Sequence, residues 1–142
     1  MTDYKLAPYA ATVMRISLGI MFIAHALLKI MVFTPEGTAQ FFGSIGLPPV
    51  LAYPTIAIEL IGGSMLVLGL YSRYVSLALI PVLVGSILFV HGAAGWVFSA
   101  PNGGWEYPAF LIAASIVQAM LGDGAYALSR KKVTVATPTL AS

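Results

Sequence analysis

Glu59 interrupts the run LAYPTIAIELIGGSMLVLGL, Leu51 to Leu70, which is otherwise uncharged and about as long as the ~20 residues a helix needs to cross a bilayer. A carboxylate at that depth costs ~3 kcal/mol on insertion scales, so a partner, a proton or a water-filled cavity must accompany it. Candidates stand on an earlier apolar run, where His25 and Lys29 lie one helical turn apart. His25 and Glu59 can both exchange protons, and Lys29 can stabilise an anion. His91 and Glu106 fall at the ends of two later apolar runs, giving five ionisable residues to be positioned.

The elements that must position them are helices in a membrane. The chain has 142 residues, 59% hydrophobic and 8% charged, with a mean hydropathy of +0.93, far from the ~25% charged residues of soluble domains. Four spans are expected, at about 9–32, 50–70, 74–90 and 107–127. Together they form one all-α domain over 1–132, a four-helix up-and-down bundle, followed by a disordered tail at 133–142. Pro81 should kink the third span. The amino terminus lacks a signal-peptide pattern and is expected to stay attached as an anchor.

Basic residues set the orientation. Lys5, Arg15, Arg73 and the cluster Arg130, Lys131, Lys132 flank the start, the second connection and the end, while the first and third connections carry none. By the positive-inside rule both termini are cytoplasmic. The net charge of +2 is therefore a topology signal in an inner-membrane, multi-pass chain, not a nucleic-acid patch. The absence of cysteine excludes disulfides, thiol relays and Cys-ligated metal sites within the chain.

Depth and phase bring the polar residues together. At ~1.5 Å rise per residue, Glu59 lies ~12 Å and His25 ~11 Å below the outer ends of their spans. Arg15, Phe22, His25 and Lys29 fall within an arc of ~80° on the first span. On the second, Thr55, Glu59, Gly62 and Gly63 share a face, and the glycines allow close approach of a helix or a flat ligand. Arg15 and Asp123 are expected to pair at the cytoplasmic side.

These residues carry a resemblance to a known family. Arg15, Gly19, Phe22, His25 and Lys29, then Gly46-Leu47-Pro48, Glu59 with Gly62-Gly63, and Gly69 with Arg73 form the first part of the pattern. His91, the run Gly103 to Tyr107, Gly122-Asp123-Gly124 and Tyr126 complete it. Over nearly all of Arg15 to Tyr126 the chain resembles the DoxX family of small bacterial membrane proteins. That resemblance implies a four-helix membrane protein related to the quinone-linked membrane subunit of thiosulfate:quinone oxidoreductase, found in some bacteria beside redox-defence partners.

Several functions fit these residues. A buried polar network that fixes helix register is one. A quinone pocket in the outer half is another, lined by Phe22, His25, Lys29, Glu59, Gly62, Gly63, His91 and Glu106, with His25 and Glu59 carrying any catalytic proton transfer. Axial haem ligation by His25 and His91 is weaker, resting only on the generality of histidine as a ligand; covalent c-type haem lacks its CxxCH motif. Trp96, Trp105 and Tyr107 are expected to be interfacial anchors. The leading expectation is a redox-associated subunit or quinone-handling module in the lipid bilayer, drawing electrons from a redox partner protein or a small reductant. Small-solute or proton permeation, as a homo-oligomer, and a non-catalytic scaffold are the alternatives.

Overall fold

The computed structural model describes residues 4–129; the basic cluster at 130–132 and the tail expected at 133–142 lie outside them. Among the described residues all regular structure is helical. Helix α1 is Ala7–Leu27, α2 is Pro35–Ser44, α3 is Ala52–Leu68, α4 is Ser72–Ser86 and α5 is Glu106–Leu121. α1 and α4 each continue into a widened turn, Leu28–Val32 and Ile87–His91. There the N–H of Phe33 reaches back five residues to the Leu28 carbonyl.

Local sequence explains the boundaries. Pro8 sits in the first turn of α1, where no intrahelical donor is lost. α3 ends on Gly69 in the left-handed region, φ 72°, with the Leu70 N–H closing onto the Met65 carbonyl. α5 ends at Leu121, before the expected 127, because Gly122 adopts φ 79° and turns the chain. Pro81 lies inside α4 without ending it. The first connection holds α2, an element absent from the sequence expectation. Its start is set by Thr34, whose side chain accepts the Gly37 N–H, and by Pro35.

Three continuous helical stretches are long and apolar enough to cross a bilayer: Ala7–Val32, Pro49–Leu68 and Ser72–Ala94, of 26, 20 and 23 residues. α5 is also apolar but has 16 residues, or ~24 Å of helix against a ~30 Å hydrocarbon core. α1 packs on α3 and α4 on α5, with α3 against α4 and α1 against α5 completing the circuit. Leu18, Phe22, Leu66, Leu79 and Leu111 fill the centre. Ile20, Ile61, Phe110 and Met120 are apolar too, yet face outward. Helices hydrophobic all round suit lipid rather than water, and the chain is a membrane protein.

The tightest seam is the α1–α3 crossing. A Cβ built at Gly63 would lie 2.8 Å from the Gly19 carbonyl oxygen and 3.0 Å from the Ile23 nitrogen; one at Gly19 would lie 2.6 Å from the Gly63 oxygen. Only glycine lets the two backbones meet there.

Candidate functional site

The widened turn after α1 carries Lys29 beside the first half of α3, where Glu59 faces inward. Lys29 Nζ donates to both carboxylate oxygens, at 2.7 and 3.0 Å. The two side chains are 19% and 5% exposed, so Glu59 is the more deeply buried partner. The charge that made Glu59 anomalous in the sequence is met by the cation one turn beyond His25.

His25 does not touch Glu59 by a hydrogen bond. Its Nδ1 donates to the Met21 carbonyl at 2.9 Å, and its ring stacks on Tyr107 of α5, centroids 6.3 Å apart and planes at 25°. His91, at the end of the second widened turn, is fixed in the same manner from another direction. Its Nδ1 lies 3.0 Å from the carbonyls of both Asn102 and Gly103. Gly103 has φ 71°, and a Cβ there would sit 3.3 Å from that nitrogen, so glycine's left-handed backbone is what aims the carbonyl. In both histidines Nε2 has no hydrogen-bond partner among the described residues.

These groups surround one cavity of about 930 Å³, toward the upper end of small-molecule sites at ~300–1,000 Å³. Phe22, His25, Lys29, Glu59 and His91 all line it, together with Tyr107. Aromatic and aliphatic side chains make up most of the wall, including Phe33, Phe41, Phe42 and Phe89. α2 forms part of that wall and is tied down by the Thr38 hydroxyl, which donates to the Thr34 and Lys29 carbonyls.

Three expected pocket residues lie elsewhere. Gly62 and Gly63 are outside the lining: Gly63 meets α1, and a Cβ built at Gly62 would lie 3.2 Å from the Leu79 side chain of α4. Their small size serves helix packing. Glu106 accepts the Phe98 N–H at 2.7 Å and so braces the loop before α5 instead of the cavity mouth. Trp96 and Trp105 pack edge to face at 4.5 Å across the base of the same loop. Tyr107, expected only as an anchor, is a wall residue; its position one residue after Glu106 gave no sign of the stack on His25.

The opposite end of the bundle is closed by a separate polar cluster. Arg15, 1% exposed, donates to the carbonyls of Leu66, Val67, Asp123 and Ala125. It therefore meets the backbone of Asp123, not the carboxylate as the sequence suggested. That carboxylate accepts the Ser72 N–H at 2.7 Å and the Ser129 hydroxyl at 2.6 Å. Burial opposes its ionisation, but the hydrogen bonds from Ser129 and Ser72 and the nearby Arg15 charge outweigh that and hold it below the ordinary aspartate range. Arg15 thus satisfies the orphan carbonyls at the end of α3 and in the chain after α5.

Residues 10–92, more than half of the chain, match a family model described as DoxX. The chain belongs to the DoxX family. The DoxX match takes in most of α1 and all of α2 to α4 and ends just after His91, so α5 with Tyr107 lies beyond it. Among relatives of this DoxX chain, a Bacillus subtilis (strain 168) protein named "Putative oxidoreductase CatD" is 40% identical over 115 residues, 81% of each chain. An "Uncharacterized protein" of Haemophilus influenzae is 31% identical over 102 residues, 70% of this chain and 74% of that one. No solved structure matches significantly.

Proposed function

We propose that this DoxX-family chain is a quinone-handling component of the bacterial inner membrane, built as a four-span bundle with both termini in the cytoplasm. α5, though short, is the fourth span. The observation that carries the proposal is a buried Lys29–Glu59 ion pair in the wall of a large, mainly apolar cavity that two histidines also line. An ion pair kept only to fix helix register has no need of an open apolar space beside it. A quinone needs this combination: an aromatic-walled slot for its ring, and polar groups for its two oxygens.

In this role Phe22, Phe41 and Phe89 embrace the ring, while His25 and His91 meet the oxygens and handle their protons. Glu59 keeps Lys29 neutralised and oriented. A redox role agrees with the oxidoreductase name of the Bacillus relative. The chain has no cysteine for a thiol relay or a Cys-ligated cluster, so electrons pass to or from a partner protein or a small reductant.

Permeation has less support. Beyond Glu59 the interior closes at the Gly19–Gly63 contact, at Leu66 and Leu79, which are 0% exposed, and at Arg15. The test is extraction of bound quinone from wild type, Glu59→Gln and His25→Ala purified in native lipid, with thermal stability measured alongside. Quinone in wild type and its loss from folded variants supports the pocket. No quinone in wild type sinks it, and loss of folding alone favours a scaffold.

A further inference from the structure

The polar groups around the cavity differ in whether they still have a proton to give. Thr38 and Thr55 have donated their hydroxyl protons to backbone carbonyls, Thr55 to Leu51 at 2.7 Å. Only their lone pairs remain. Glu59 is an acceptor, and Lys29 spends two of its three N–H groups on it.

The histidines tip the balance. A carbonyl has no proton to offer, so a ring nitrogen bonded to one must itself carry the hydrogen. Both His25 and His91 have Nδ1 on carbonyls. In its neutral form each ring therefore presents Nε2 as a bare acceptor. The remaining donors are the third Lys29 N–H and the hydroxyls of Ser86 and Tyr107, both of which can also accept.

We infer that the cavity selects the reduced form of its ligand, a hydroquinone over the corresponding quinone, because His25 and His91 both offer Nε2 as an acceptor. The inference rests on the quinone reading of the cavity and adds a redox preference to it. A hydroquinone O–H donates to Nε2. A quinone carbonyl brings a second lone pair to the same place and gives neither acceptor a proton. The charges facing the site, Lys29 and Glu59, neutralise each other, and Tyr107 is the remaining titratable wall residue.

The expected preference is about tenfold in dissociation constant, the scale of one hydrogen bond made against one lost. A tenfold preference for the reduced form raises the midpoint potential of a bound two-electron couple by about 30 mV. Such a site favours collecting hydroquinone from the membrane pool.

Anaerobic equilibrium dialysis of the wild-type protein in detergent tests this, with decylubiquinone, decylubiquinol and the dimethyl ether of the quinol as probes. The quinol should bind about tenfold tighter than the quinone. The ether keeps the ring but has no O–H to give, and should bind no better than the quinone. Folded His25→Phe and His91→Phe variants should bring the ratio toward one; should neither fold, the wild-type ratio and the ether still decide. Equal or tighter quinone binding, or an ether that matches the quinol, overturns the redox preference and leaves the pocket standing. Binding of none of the three overturns the pocket, and the preference with it.

Discussion

Lys29 and Glu59 are unequal partners, and that inequality gives the pair a testable signature. Glu59 is nearly sealed from solvent while Lys29 keeps a partly exposed tip. Lys29→Met should therefore strand a buried carboxylate and cost about 3 kcal/mol or more, the scale of breaking a buried pair from one side. Glu59→Gln should cost less, because the freed ammonium can turn toward the cavity. The double variant should recover much of the Lys29→Met loss, since no unpaired charge remains. Thermal unfolding of the four proteins in detergent measures this cycle; purely additive losses would mean that the two charges do not depend on each other. This pairing was legible in the sequence, because a carboxylate in an apolar run demands a cation at the same depth and Lys29 was in phase to provide it. The surroundings of His91 were not. Its orientation comes from the carbonyls of Asn102 and Gly103, and loop carbonyls have no side-chain signature.

Small residues were the ambiguous signal among the helices. Gly62 and Gly63 fitted a ligand surface and a helix seam equally well on sequence, and the structure uses them for the seam. α2 went unforeseen because ten residues carry too few turns for a clear apolar period, although Thr34-Pro35 is a recognisable start. The α1–α3 crossing predicts how these glycines respond to substitution. Gly63→Ala forces its methyl onto the Gly19 carbonyl and the Ile23 backbone, neither of which can rotate away. A loss of about 1–3 kcal/mol is expected. Gly85 is the matched control, a helical glycine with nothing within 4 Å of a built Cβ. Gly85→Ala should leave stability unchanged or raise it by up to ~1 kcal/mol. Comparable melting temperatures for the two alanine variants would contradict the close crossing.

Across the whole molecule, the two ends differ in chemistry. At one end α2 and the widened turns surround the cavity, with the loop before α5 holding His91 in place; at the other, Arg15 and Asp123 close the bundle near Arg73 in the first turn of α4. In the proposed topology the Arg73 end is cytoplasmic by the positive-inside rule, which would open the cavity end toward the outer leaflet. α5 is shorter than the hydrocarbon core, and a short span is accommodated by local thinning of the bilayer, at a cost of a fraction of a kcal/mol per Å of mismatch. A chain without cysteine makes the arrangement directly measurable, since any thiol introduced is the sole target. Ser44 at the end of α2, Ser99 in the loop before α5 and Leu128 beyond α5 are all exposed. With single cysteines at these positions, a membrane-impermeant maleimide applied to spheroplasts should label positions 44 and 99, and label position 128 only after the membrane is opened. Labelling of 128 together with 99 from outside would mean that α5 does not cross, leaving three spans and a carboxyl terminus on the cavity side.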